Sequence, residues 1–186
     1  MSKCSAKEVK QRMFDFLKRN KKPNPDASRL LASILTLYPA VQSVSYDAKD
    51  GMLDLSFALS GGFSQDDFEG FLKYVAESVE TYHHLENLGS ATIELNVEGI
   101  HGTCFLNVRR DLETLTCGEL SLLTQLAASY FGENLIEDPD DAIPDEEYLM
   151  AQEDFLDQMF NNIRQVRLEG RLVGVRERER VVVYTR

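Results

Sequence analysis

The chain has 186 residues, an apolar content of 43% and a formal net charge of −11. This apolar content is sufficient for the core of a folded domain and excludes a chain that is disordered throughout. The acidic balance argues against contact with DNA or RNA over most of the surface, because both polymers are anionic.

The charge is distributed unevenly along the chain. Residues 1–29 carry nine basic and three acidic side chains, residues 30–163 carry four basic and 25 acidic ones, and residues 164–186 carry seven basic and three acidic ones. Basic ends therefore flank a body with a net charge of −21. Such a body favours basic partners, cations or the chain's own basic termini.

The cysteines and the apolar segments bear on the location of the protein. Cys4, Cys104 and Cys117 form no C-x-x-C pair, so neither a disulfide framework nor a zinc knuckle is indicated. A reducing cytoplasm is the expected setting. The first residues lack the apolar core of a signal peptide. The most apolar stretch, residues 30–41, is too short to span a bilayer, so no membrane span is expected.

Two helices are predicted before the first strand. Apolar residues at helical spacing predict a basic amphipathic helix over residues 6–20. A second helix is predicted over residues 25–37. Asn24 is a favourable N-cap for it, Pro25 fits its first position and Pro39 ends it.

Residues 41–132 contain the same succession of elements twice. Each half reads as a β-hairpin, turning at "DAKDG" or "EGIHG", followed by a helix. The helices begin at similar capping boxes, Ser64 with Asp67 and Thr116 with Glu119, which lie 52 residues apart. The spacing predicts two tandem ββα units; duplication and convergence of form both remain open as their origin.

Alternation along the predicted strands gives the sheet two different faces. Apolar residues would face the helices, and polar residues would face solvent, as antiparallel sheets allow. The apolar set is Leu53, Leu55, Phe57, Ile93, Leu95 and Val97, and the polar set is Asp54, Ser56, Thr92, Glu94, Asn96 and Glu98. We take Asp54, Ser56, Glu94 and Asn96 as candidates for binding a partner or a second subunit.

An acidic segment precedes the last predicted helix. Residues 133–157 hold 11 acidic side chains and no basic one. Residues 133–144 are predicted to be a linker, and a helix is predicted over residues 145–163. This helix has a broad apolar stripe, which must dock on the chain itself or on a partner. Two strands, about 165–175 and 179–185, complete the prediction.

Arginine and glutamate alternate in the C-terminal "RERER". Arg176, Arg178 and Arg180 are predicted to lie on an edge strand or hairpin tip, where charges discourage aggregation between sheet edges. They are candidates for pairing with carboxylates of the same chain or of a second subunit, and a grip on phosphate is the alternative. Exposed pairs contribute about 0–1 kcal/mol, so replacing these arginines with Ala should change stability little.

Together these elements predict an α+β fold. Tandem ββα units form a mainly antiparallel sheet with helices packed on one face, plus N-terminal helices and a C-terminal helix and β-hairpin. We expect a single domain over residues 1–186. Its parts are an N-terminal helical segment (1–38), a ββαββα core (41–132), an acidic linker (133–144) and a C-terminal helix and hairpin (145–186).

One predicted helical turn contains Glu80, His83 and His84, a spacing that suits a metal ion. Di-metal bundles need a second such motif on another helix, and the sequence has none. Histidines near a helix C-terminus are also favoured by the helix dipole alone. The sequence therefore predicts no metal site and no cofactor. If the protein does bind a metal ion, Glu80, His83 and His84 are the candidate ligands.

Cys117 is predicted in the first turn of a capped helix, a position that lowers the pKa of a thiol. A catalytic thiol also needs a base, and His101 is the nearest histidine in the sequence. A small residue early in a helix is the simpler interpretation of Cys117.

Three functions remain after these exclusions. The sequence favours a non-enzymatic binding protein, which would be an adaptor, a chaperone-like protein or a regulator acting on a protein partner or on a second copy of itself. The first alternative is a small cytoplasmic enzyme with a site near Cys117 and His101. The second alternative is a nucleic-acid-associated protein that uses its basic termini, which the acidic body disfavours.

Overall fold

In the part of the chain that the structure describes, seven strands form one antiparallel sheet, and the helices pack on one face of it. The computed structural model describes residues 24–100, 103–137, 146–165, 170–177 and 180–185. The helices are α1 (Pro25–Leu37), α2 (Gln65–Leu85), α3 (Cys117–Phe131) and α4 (Glu146–Gln165). The strands are β1 (Val41–Asp47), β2 (Met52–Ser60), β3 (Ile93–Ile100), β4 (Thr103–Asp111), β5 (Leu135–Ile136), β6 (Arg171–Glu177) and β7 (Arg180–Thr185).

The strand order is β3-β4-β2-β1-β6-β7, and every neighbouring pair is antiparallel. The two predicted hairpins lie side by side, joined through their second strands, β2 and β4. The C-terminal hairpin extends the same sheet by pairing β6 with β1, and the short strand β5 pairs with the end of β2. The predicted α+β fold is therefore confirmed.

The apolar face of the sheet is buried under the helices. Leu53, Leu55 and Phe57 of β2 are almost completely buried, as their alternation predicts. Helix α1 lies close to β6 because Gly174 has no side chain. A Cβ atom there would come within 3.0 Å of the Leu35 side chain.

The apolar stripe of α4 docks on the chain itself. Leu156, Phe160 and Ile163 are buried against the core, where α4 contacts α1 and α3. Burial of each such side chain contributes about 1.5–3 kcal/mol, which explains why this strongly acidic helix stays attached. Phe155 stays half exposed.

The helix starts follow the capping prediction, with one exception. The Asn24 side chain accepts from the backbone N–H groups of Asp26 and Ala27, and Ser64 and Asp67 form the complete capping box. Thr116 also accepts from the N–H of Glu119, at 3.2 Å. The Glu119 carboxylate does not return to the helix start, because it bonds to groups in the protein interior.

Several predicted boundaries differ from the observed ones. Helix α4 extends to Gln165, so the first C-terminal strand begins at Arg171 instead of near residue 165. Leu135 and Ile136, assigned to the linker by the sequence, form β5. The helix predicted over residues 6–20 lies outside the described residues.

Candidate functional site

The face of the sheet opposite the helices is open and polar. Two rows of side chains cross the strands β3, β4, β2 and β1, because residues that are partners in the register lie next to one another. The charged row consists of Glu94, Arg109, Asp54 and Ser45. The amide–hydroxyl row consists of Asn96, Asn107, Ser56 and Ser43.

Small side chains in the middle of the sheet leave a groove along this open face. Its volume is about 580 Å³. Both rows line it, together with Glu98 on the β3 side and Arg171 and Val173 on the β6 side. The floor of the groove therefore carries serines and asparagines together with Asp54 and Arg109, and further charged side chains lie at both margins.

Arg109 holds the centre of the charged row among three carboxylates. It is paired with Asp50, and its Nε lies 3.8 Å from an oxygen of Asp54 and 3.8 Å from an oxygen of Glu94. The Ser45 hydroxyl donates to Asp54 at 3.3 Å. Arg109 is about one-third exposed, so its charge and those around it remain within reach of a partner.

All four sheet residues chosen from the sequence line this groove. Asp54 and Glu94 belong to the charged row, and Ser56 and Asn96 belong to the amide–hydroxyl row. Strands β1 and β4 also contribute to this groove, and none of their residues was among the predicted candidates. Their signal was the same alternation: Ser43 and Ser45 on β1, and Asn107 and Arg109 on β4, share one parity in each strand.

Arg176 and Arg180 of the C-terminal hairpin are not among the residues that line this groove. Arg180 begins the edge strand β7 and is paired with Glu177 at 3.1 Å. Arg176 instead donates to the carbonyl of Leu35 in the last turn of α1. Arg178 lies outside the described residues.

The three metal candidates on α2 do not share one environment. Glu80 and His84 are exposed, whereas His83 points into the protein. The His83 Nδ1 lies 2.6 Å from the carbonyl oxygen of Gly89, and its Nε2 lies 2.8 Å from a carboxylate oxygen of Glu119. In the described part of the chain, no group of three or more His, Cys, Asp or Glu side chains is placed to hold a metal ion.

His83 belongs to a buried polar cluster with Arg110 and Glu119. Arg110 and Glu119 are completely buried, and His83 is nearly so. Arg110 grips the Glu119 carboxylate with two nitrogens, Nε at 2.5 Å and Nη2 at 2.9 Å. The buried cluster therefore ties β4 to α2 and α3, and both ring nitrogens of His83 face acceptor oxygens.

Further contacts complete the surroundings of Arg110. Its Nη1 donates to the Thr92 carbonyl at 2.8 Å and is paired with Asp111. Burial alone would lower the pKa of Arg110, but hydrogen bonds and charges from Glu119 and Asp111 offset it and raise that pKa. Burial would raise the pKa of Asp111, but donors including Thr114 lower it.

Cys117 is buried at the start of α3. Its sulfur lies 3.1 Å from the Tyr38 hydroxyl, and its backbone N–H donates to Asp157 at 2.9 Å. Burial raises the pKa of the Cys117 thiol to about 11, so the helix start does not produce a thiolate near neutral pH. Burial also raises the pKa of Tyr38. The proposed partner His101 lies outside the described residues.

Comparisons of this chain with protein-family models, with curated proteins and with solved structures found no match. Among the described helices, none has the length and apolar character needed to cross a membrane.

Proposed function

We propose that this protein is a non-enzymatic binding protein, an adaptor, chaperone-like protein or regulator, that contacts other proteins through the open face of its sheet. The observation that carries the proposal is the pair of polar rows across four strands, set in a groove of about 580 Å³. The amide–hydroxyl row offers donors and acceptors to a partner's backbone, and the charged row offers both signs of charge.

The chemistry of the other candidate sites favours binding over catalysis. The high pKa of Cys117 and its burial are unsuited to a nucleophile, and the nitrogens of His83 are already engaged. Three carboxylates, those of Asp54, Glu94 and Glu98, line the groove against two basic side chains, and this acidic excess would repel a phosphate backbone. A basic protein partner suits this face better than a nucleic acid does.

We further propose a reducing cytoplasm as the setting, in which the free thiols of Cys104 and Cys117 persist. A second copy of the chain is one class of partner, which would make the protein a homodimer.

Affinity capture under native conditions, followed by mass measurement of the intact complex, tests the proposal. Ser56→Tyr would fill the groove without changing its charge, and Ser129→Tyr makes the same change on the exposed side of α3. We expect a partner to be retained by the wild type and by Ser129→Tyr, and lost by Ser56→Tyr. Recovery of the wild type alone and monomeric in all conditions would refute the proposal, as would equal capture by all three proteins.

A further inference from the structure

Strand β3 lies at one edge of the sheet. It pairs with β4 on one side, and in the part of the chain that the structure describes no strand pairs with its other side. A free strand edge presents backbone donors and acceptors that can bind another extended chain. The strand is eight residues long, which is enough for several such bonds.

The pairing with β4 decides which backbone groups face outward. Thr92 and Asp111 are opposite one another, and the Asp111 N–H donates to the Thr92 carbonyl at 3.2 Å. Hydrogen-bonded and non-hydrogen-bonded pairs alternate along an antiparallel ladder. The even-numbered residues of β3 therefore bond to β4. The outward N–H and C=O groups belong to Ile93, Leu95, Val97 and Gly99.

The two faces of β3 differ in chemistry. Glu94, Asn96 and Glu98 are exposed on the open face, and both glutamates line its groove. On the helix side, Ile93, Leu95 and Val97 are half-buried. A second groove of about 670 Å³ lies there between α2 and the start of β3, lined by apolar residues such as Val79 and Ile93 and by polar ones such as Glu80 and His84. An added strand would meet carboxylates on one face and apolar side chains on the other.

Charge decides which kind of chain fits. Two copies of β3 paired antiparallel about Asn96 would set Glu94 opposite Glu98 twice, and like charges directly opposite are destabilising. A basic chain would be attracted instead. Residues opposite Glu94 and Glu98 would occupy non-hydrogen-bonded positions, where the side chains of neighbouring strands are closest.

We propose that the free edge of β3 is a strand-addition site for an extended basic segment of a partner protein. The segment carries basic side chains four residues apart, opposite Glu98 and Glu94, and apolar side chains opposite Val97 and Leu95. This inference rests on the proposed binding function and names the chemistry of the partner. From the residue opposite Glu98 to the residue opposite Glu94, the segment reads basic–apolar–polar–apolar–basic.

A labelled synthetic peptide of roughly nine residues with a central Lys-Val-Thr-Val-Lys tests this pattern against the full chain by fluorescence anisotropy. A matched peptide with Glu-Val-Thr-Val-Glu should bind at least about ten-fold more weakly, because both cross-strand pairs become repulsive. The protein variant Glu94→Lys/Glu98→Lys should reverse this preference.

N-methylation of the peptide separates strand addition from general charge attraction. The two valine N–H groups would point at β3 and the threonine N–H would point away. Methyl groups on both valine nitrogens should therefore abolish binding, and a methyl group on the threonine nitrogen should leave it in place. Equal effects of the two modifications would overturn the proposal, as would failure of the lysine peptide to bind.

Two further results separate this inference from the function on which it rests. Ser56 lies two strands away from the free edge of β3, so Ser56→Tyr should reduce partner capture while lowering peptide affinity much less than Glu94→Lys/Glu98→Lys does. If the lysine peptide does not bind but partner capture still depends on Ser56, the strand-addition proposal is refuted and the proposed binding function stands. The protein could also form a dimer in the absence of peptide. If Glu94→Lys/Glu98→Lys dissociated that dimer, the free edge of β3 would bind a second copy of the chain, and the proposal of a basic partner would be overturned.

Discussion

Arg109 and Arg110 are neighbours in the chain and lie on opposite faces of β4. Arg110 is completely buried and holds Glu119, whereas Arg109 is about one-third exposed among carboxylates. Removing one partner of a buried ion pair costs about 3–5 kcal/mol, because the remaining charge is left buried, and an exposed pair contributes about 0–1 kcal/mol. We expect Arg110→Met to lower the free energy of unfolding by about 3–5 kcal/mol in urea denaturation, and Arg109→Met by less than about 1 kcal/mol.

A double variant provides the control for this difference. Replacing Glu119 with Gln in the Arg110→Met background removes the uncompensated charge, so the two losses should not add. Additive losses would mean that the arginine contributes through packing of its side chain instead of through the carboxylate. Equal costs at Arg109 and Arg110 would contradict the assignment of the buried cluster.

The sequence pattern places two members of the buried cluster, Arg110 and His83, on faces that are otherwise apolar. Arg110 has the parity of Leu106 and Val108 on β4, and His83 follows Val79 by four residues on α2. Both polar side chains therefore stand on faces that are otherwise apolar, and a buried charge needs a partner. In the sequence, a predicted capping box with Thr116 accounts for Glu119 without any buried partner. The pairing of the three residues depends on contacts between distant elements, so the sequence alone could not supply it.

At the scale of elements, Arg176 and Arg180 of the C-terminal hairpin have different surroundings. Arg176 donates to the Leu35 carbonyl, one of those that the end of α1 leaves without a helical partner, whereas the Arg180 side chain is mostly exposed. Hydrogen bonds of charged groups contribute about 1.5–3 kcal/mol. We expect Arg176→Ala to lower the free energy of unfolding by about 1–3 kcal/mol, and Arg180→Ala to change it by less than about 0.5 kcal/mol.

The matched pair of alanine variants isolates the contact with α1, since both remove the same side chain from the same hairpin. The alternation in the sequence makes the two arginines equivalent and predicts little effect from replacing either. If Arg176→Ala proves as mild as Arg180→Ala in urea denaturation, the contact with Leu35 does not stabilise the fold.

Elements formed by local interactions could be predicted from the sequence, whereas arrangements that depend on distant contacts could not. Caps at Asn24 and Ser64 and the alternation of Leu53 and Asp54 are local, so the sequence places α1, α2 and β2 correctly. The strand order is decided by contacts between segments far apart in the chain. Strand β6 pairs with β1, and Gly174 lies under α1. The only local sign of this arrangement in the sequence is a glycine within a predicted strand.

At the scale of the whole molecule, acidic charge accumulates on exposed helices. Residues 30–163 carry 25 acidic and four basic side chains, and the acidic residues of α2 include the exposed Glu69, Glu77 and Glu80. Like charges at this density destabilise the compact state through self-repulsion. The same field would draw a basic partner toward the groove and toward the free edge of β3, and it would weaken with salt.

Salt should therefore stabilise this protein. Raising the ionic strength with NaCl from about 0.01 M to about 0.15 M shortens the Debye length from about 30 Å to about 8 Å and screens the repulsion between distant carboxylates. We expect the Tm, followed by circular dichroism, to rise over this range. A variant with Glu69, Glu77 and Glu80 replaced by Gln removes charge while keeping helix propensity nearly constant. It should have a higher Tm at low salt and a weaker dependence on salt. A Tm that falls as NaCl is added would show that attractive ion pairs outweigh the excess of acidic charge.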